Sequence, residues 1–170
     1  MMSFSHILRA LTVAILAVFA SADPGNAQRP SDLFPSEAIW TPAPTPEGGV
    51  SWETLESTKE IQRISDGIIY SKPVFAASVE ALAGTRIKVN GYMLPLQNSA
   101  KQTHFVLLAY PPDCPFHLNP APTQFIEVLT STPISVNYEV RTIEGVLELT
   151  GQDEGGIFYR MVESEEAAGA

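Results

Sequence analysis

The feature that most limits the fold is a series of short segments in which apolar and polar residues alternate, two of them with a glycine inside. Residues 85–92 alternate and contain Gly91, and residues 139–150 alternate and contain Gly145. Alternation with a period of two is typical of a strand with one buried face. A glycine within a strand marks a bulge or a sharp bend, which a small closed barrel needs.

Three further runs have strand character, at residues 103–110, 123–129 and 157–162. Five short strands with glycine-marked bends predict a mainly β fold. We expect a small barrel similar to the oligonucleotide/oligosaccharide-binding (OB) barrels, with one or two flanking helices. The alternative is a β-sandwich, which in its immunoglobulin-like form has about seven strands.

Two segments before these strands have helical features. Residues 50–63 suit a short helix with Ser51 as its N-cap. After an extended connection at residues 67–73, a second helix is predicted, with Pro73 in its first turn and Gly84 just beyond its end. The apolar sets of the two helices are Trp52, Leu55, Ile61 and Ile64 for the first, and Phe75, Val79 and Leu82 for the second.

The N-terminus predicts export. Residues 10–20 form an apolar run that is too short to span a bilayer of about 30 Å as a helix. Small residues follow, and cleavage is expected after Ala22 or after Ala27. We therefore predict a signal peptide at residues 1–27, a periplasmic location, and no stable membrane insertion of the mature chain.

The rest of the chain divides by composition. Residues 28–49 are rich in proline and are expected to form an extended linker that resists packing. Residues 50–163 form the predicted domain, and residues 164–170 form a short acidic tail. The formal net charge of −9 argues against nucleic acid as a partner, because phosphates require Lys and Arg. It equally disfavours an anionic membrane surface.

A proline-rich loop carries the residues with the clearest chemical potential. Cys114, the only cysteine, lies three residues before His117. Thiolate and imidazole are good ligands for zinc or copper, and a structural zinc site has about four ligands. His104 and Asp113 are the nearest further candidates, so the predicted metal site is Cys114, His117, His104 and Asp113. The alternative is that Cys114 packs as a small apolar residue while His117 lies in solvent.

No reaction is predicted for this loop, because it lacks the second cysteine of a thioredoxin-type site and any orienting group for a Cys–His nucleophile. Aromatic residues on the strands are expected to fill the core or the barrel mouth. The alternative for them is a binding face for a peptide or glycan. They are Tyr92, Phe105, Phe125, Phe158 and Tyr159.

Several segments together are similar to one known family. The most specific is the Gly-Tyr-Met-Leu-Pro-Leu piece at residues 91–96, and further matches are at residues 87–90, 104–108, 114–117 and 145–149. On these residues the chain resembles a bacterial exported family, domain of unknown function 3299, over residues 50–163. The resemblance implies a small secreted companion of ABC-type permeases, in some cases within zinc-responsive gene sets. Members commonly carry a second cysteine where this chain has His117. The difference weakens a dithiol redox role and leaves zinc ligation open.

The residues of the loop, the exported address and the resemblance together predict a periplasmic, non-enzymatic accessory protein that binds zinc in support of an ABC-type transporter. The alternative is an interaction module without metal, in which the aromatic barrel face or the proline-rich loop docks a membrane or other envelope protein.

Overall fold

The computed structural model describes residues 41–112 and 119–167. The predicted signal peptide and residues Asp113, Cys114 and His117 of the predicted metal site lie outside these ranges. The elements are, in chain order, α1 (Trp52–Glu56), β1 (Lys59–Ser65), β2 (Ile68–Val74), α2 (Ala77–Glu80), β3 (Arg86–Pro95), β4 (Lys101–Leu108), β5 (Phe125–Ser135), β6 (Arg141–Leu149) and β7 (Tyr159–Glu166).

The last five strands close into a barrel in the order β3-β4-β5-β7-β6, and β6 pairs back onto β3. Neighbouring strands are antiparallel except β5 and β7, which are parallel. The predicted mainly β fold, a small OB-like barrel of about five strands with one or two flanking helices, is confirmed, and the helices are two and short. Within the described residues, no helix is long and apolar enough to cross a membrane.

The inward-facing residues of the barrel strands form one apolar core. Fully buried members include Val89, Met93, Phe105, Leu107, Ile126, Val128, Ile143, Leu147 and Met161. Gly91 and Gly145 also face inward, where a Cβ on Gly145 would lie 2.5 Å from the Ser164 Oγ. At Gly91, β3 passes from pairing with β6 to pairing with β4. Around Gly145 the register of β6 on β7 shifts, as expected for a bend.

Helix α1 closes one side of the core. The Ser51 hydroxyl accepts from the Thr54 N–H at 3.2 Å, so the predicted N-cap is confirmed. Trp52 is buried, and its indole N–H donates to the Asn90 carbonyl of β3 at 2.7 Å. The Tyr159 hydroxyl of β7 hydrogen-bonds the Leu55 carbonyl at 2.7 Å. These contacts fix the start of β1 relative to the barrel.

The sequence prediction is wrong where the first helix was extended to residue 63. The helix ends at Glu56, and Lys59–Ser65 is instead a strand that pairs antiparallel with β2. Asp66 and Gly67 have φ of 52° and 76°, and this two-residue turn matches the twist of the flanking strands. The second helix is also shorter than predicted. Pro73 lies in β2, and α2 begins at Ala77.

Two segments expected outside the domain make contact with it. In the predicted linker, Ala43 is buried, and its N–H donates to the Ala109 carbonyl at 2.8 Å. In the predicted acidic tail, Ser164 is buried because β7 continues to Glu166. The local composition of these segments did not reveal either the backbone contact of Ala43 or the length of β7.

Candidate functional site

Of the four predicted metal ligands, only His104 lies in the described residues. It lies on β4, on the strand face that points away from the barrel core. Its Nε2 lies 2.9 Å from the Glu127 Oε1 of β5. The Glu127 Oε2 in turn accepts from the Arg160 Nε of β7 at 2.7 Å. Neighbouring strands thus bring a histidine, a carboxylate and a guanidinium together on the barrel wall.

The pKa of Glu127 is set by burial and by its two hydrogen-bond partners. Burial acts to raise the pKa of Glu127, but hydrogen bonds from Arg160 and His104 outweigh it and hold that pKa below its ordinary value. The same bond to Glu127 raises the pKa of Arg160. Glu127 is therefore a carboxylate at neutral pH. If the His104 Nε2 donates to it, the lone pair at Nδ1 remains available as a ligand.

His104 does not lie at the end of β4 from which the chain continues towards residue 113. His104 precedes the end of β4 by four residues, which is roughly 13 Å along a strand. The described residues contain no group of three His, Cys, Asp or Glu side chains that could hold a metal ion. The predicted ligand set therefore stays a prediction.

A second feature is the two-stranded ribbon of β1 and β2, which we call the arm. It forms a sheet of its own, apart from the barrel. It carries much of the exposed apolar surface of the described residues. Exposed fractions are 71% for Ile64, 60% for Ile69, 55% for Ile61 and Ile68, and 48% for Val74. Exposed apolar side chains that lie close together are a feature of interaction surfaces.

The two faces of the arm differ in charge. Cross-strand partners share a face, so the pairing of β1 with β2 assigns each residue to one side. We call one side the cationic face; it comprises Lys59, Ile61, Arg63, Ser65, Ile68, Tyr70, Lys72 and Val74. Arg63 stacks 4.2 Å above the Tyr70 ring and pairs with Glu154. Lys59 and Lys72 are exposed and have no ion-pair partner among residues 41–112 and 119–167.

The opposite side, the cleft face, comprises Glu60, Gln62, Ile64, Ile69, Ser71 and Pro73. It borders a cleft of about 590 Å³, whose other wall is the chain segment leading into β5. Gln62, Ile69 and Ser71 line the arm side, and Pro120, Pro122 and Phe125 line the far side. The Glu60 carboxylate accepts from the Ser71 hydroxyl and from the Gln62 amide, so the polar groups of the arm wall are held in place.

A family model described as "Protein of unknown function (DUF3299)" matches residues 31–165. The chain belongs to this family. It is also similar to a crystal structure of a DUF3299 family protein from Pseudomonas aeruginosa PAO1. The identity is 23% and the TM-score 0.45, over 58% of this chain and 69% of that one. No curated protein matches the chain.

In this DUF3299 chain, sequence reasoning found His104 but missed the residues that hold it. Glu127 and Arg160 come from strands that are distant in sequence, and only the parallel pairing of β5 with β7 sets them side by side. It also missed the arm. The available signal there was the Asp66-Gly67 pair between two isoleucine-containing runs, which is typical of a two-residue hairpin turn.

Proposed function

We propose that this chain is an exported, periplasmic accessory protein that docks a protein of the cell envelope, an ABC-type transporter component, through the β1–β2 arm. The observation that carries the proposal is the exposure of Ile61, Ile64, Ile68, Ile69 and Val74 on one ribbon outside the barrel. A partner that covers these half-exposed side chains gains about 1 kcal/mol from each.

Charge supports a protein partner. The arm carries three basic and two acidic side chains, while the whole chain has a net charge of −9. An arm with the opposite sign of charge to the rest of the chain orients an approaching acidic surface towards itself. The exported address, which is an expectation from sequence, and the association with permeases that the family resemblance implies make a transporter component the partner to test.

Site-specific photocrosslinking in cells tests the docking role. A photoreactive amino acid replaces Ile61 or Ile68 in the full chain, and adducts are identified by mass spectrometry. We expect one discrete adduct with a transporter component. The matched control is Tyr138, which is 75% exposed but lies between β5 and β6 of the barrel rather than on the arm. An identical adduct from position 138, or no adduct from either arm position, would contradict the proposal.

Zinc binding at Cys114, His117, His104 and Asp113 is the second candidate. The observation that favours it is the hydrogen bond between the His104 Nε2 and Glu127. A metal-bound histidine usually donates its other ring N–H to a carboxylate, a backbone carbonyl or water, and Glu127 is such a carboxylate. In such a site the loop residues would supply the thiolate and the second imidazole.

Calorimetric titration of the mature chain with zinc tests this candidate. We expect one equivalent to bind, with binding lost in Cys114→Ala and weakened by about tenfold or more in Glu127→Gln, as is usual for a residue that orients a ligand. The control is Glu148→Gln, an exposed carboxylate on β6. Absence of stoichiometric binding, or binding unchanged by both test substitutions, would exclude the site.

A further inference from the structure

The backbone of the arm has one edge that can accept another strand. Hydrogen-bonded pairs alternate along an antiparallel ribbon, and the pair next to a two-residue turn is hydrogen-bonded. Ser65 and Ile68 are that pair. It follows that Glu60, Gln62 and Ile64 direct their N–H and C=O groups away from β2.

The outer edge of β2 shows the same alternation of inward-directed and outward-directed backbone groups. This edge is less suited to accept a further strand. The outward residues there are Ile69, Ser71 and Pro73. The Ser71 N–H already donates to the Glu154 carbonyl at 3.4 Å, and Pro73 has no N–H to donate. In the described residues β1 pairs only with β2. The barrel strands, in contrast, pair on both sides by closing on themselves.

The surroundings of the β1 edge differ on its two sides. Successive side chains of an added strand point to opposite faces. One set would lie beside the cationic face, near Lys59 and Arg63. The other set would lie on the cleft face beside Gln62, towards the apolar wall of Pro120 and Phe125. An edge with different environments on its two sides selects a peptide by main-chain hydrogen bonds and by alternate side chains.

We propose that the outer edge of β1 binds an extended segment of a partner protein as an added strand, with acidic side chains over the cationic face and apolar side chains towards the cleft. This inference rests on the proposed docking function and names the chemistry of the partner segment. A second copy of the chain fits less well. Antiparallel β1–β1 pairing would place the cationic faces of both copies side by side, and like charges on one face are destabilising.

The probe is a short capped peptide in which glutamate and valine alternate, added to the isotope-labelled mature chain. We expect hydrogen exchange to slow at the amides of Glu60, Gln62 and Ile64, and not at that of Ile61. A peptide of the same composition with the glutamates in one block should bind roughly tenfold more weakly, since its side chains cannot meet both faces. A lysine–valine peptide should bind more weakly still.

Substitutions distinguish the contribution of the β1 backbone to peptide binding from that of the side chains. Gln62→Pro removes one outward N–H without removing a bond between β1 and β2, and should weaken binding roughly fivefold to tenfold. Gln62→Ala keeps the N–H and should leave the affinity within about twofold. Lys72→Glu leaves the backbone intact and should shift preference towards the lysine–valine peptide. It keeps the inference testable if Gln62→Pro does not fold.

Equal binding of the alternating and block peptides, or equal binding by the Gln62→Pro and Gln62→Ala chains, would overturn the inference. So would a dimer that Gln62→Pro dissociates in sedimentation, or flotation with anionic vesicles that Lys72→Glu abolishes. Crosslinking to a transporter from Ile68 without slowed exchange at the edge would overturn the added strand and leave the docking function standing. Slowed exchange at the edge without a cellular adduct would support the added strand and contradict the docking function.

Discussion

Tyr159 links alkaline pH to the stability of this fold. Its side chain is fully buried, and its hydroxyl hydrogen-bonds the Leu55 carbonyl and the Thr58 hydroxyl, both at 2.7 Å. A phenol has one proton, so it donates to the carbonyl and accepts from Thr58. Burial raises the pKa of Tyr159 from 10.0 to about 12, against a smaller lowering by the Thr58 hydrogen bond.

The sign of the effect follows from that order of pKa values. Above pH 10 the unfolded chain releases the phenol proton while the folded chain retains it, so stability falls as pH rises from 10 to about 12. One pH unit corresponds to about 1.4 kcal/mol. The free energy of unfolding should therefore drop by about 3 kcal/mol across this interval because of Tyr159 alone.

The substitution Tyr159→Phe isolates this contribution. At neutral pH it should cost about 1–3 kcal/mol, because Leu55 and Thr58 lose a buried partner. Between pH 10 and about 12 the variant should lack the loss assigned to Tyr159, so the two stability curves converge. Urea unfolding at a series of pH values measures both effects.

A matched control uses an exposed tyrosine. Tyr138 is 75% exposed, so Tyr138→Phe should leave the stability of the chain and its pH dependence unchanged. If Tyr159→Phe loses as much stability between pH 10 and 12 as the unsubstituted chain, the assignment of the raised pKa to a folded, buried Tyr159 is refuted.

Two further substitutions test the barrel. Gly145→Ala should cost about 1–3 kcal/mol by overpacking, since its Cβ would lie 2.9 Å from the Val162 carbonyl oxygen. Thermal melts measure this loss. The control is Gly155→Ala, which should change the melt little because the nearest contact of its Cβ is an exposed carboxylate at 3.3 Å. Glu127→Gln should cost about 1 kcal/mol at neutral pH. Because the pKa of Glu127 is lowered on folding, that difference should shrink as pH falls below 4.5, and acid titration of stability checks it. A constant difference down to the acid transition would contradict the pairing of Glu127 with His104 and Arg160.

The barrel could be predicted from sequence because its strands carry their own signal. In β3 and β6, one face packs in the core and the other meets solvent, so alternation is retained. The two glycines within strands were also informative. Gly91 and Gly145 lie where a side chain would collide with a neighbouring strand, and such positions remain visible in a single sequence.

The arm could not be predicted from periodicity because its isoleucines are exposed on both faces, so that apolar residues do not mark a buried side. Ile61 lies on one side of the ribbon and Ile64 on the other, and both are exposed. Their spacing of three residues matched a helix, and no pattern of burial opposed that interpretation. The structure follows instead from the Asp66-Gly67 turn, whose positive φ values set the register of β1 on β2.

The candidate site depended on long-range pairing. The sequence placed His104 on a strand but gave no reason to connect it with Glu127 or Arg160. Those residues meet because β5 lies between β4 and β7, an order created by the crossover of the barrel. A non-local pair of this kind has no signature in the local pattern of residues.

The barrel and the arm differ in how their strand edges are satisfied. An unpaired strand edge invites association, and closing a barrel removes such edges. Among the described residues, β3 to β7 follow that solution and β1 does not. An open strand edge beside exposed isoleucines is a place where another strand can pair. The cations on one side and the cleft on the other define what that partner must offer. We therefore expect substitutions on the arm to change association while leaving the barrel folded, and substitutions at Gly145 or Tyr159 to do the reverse.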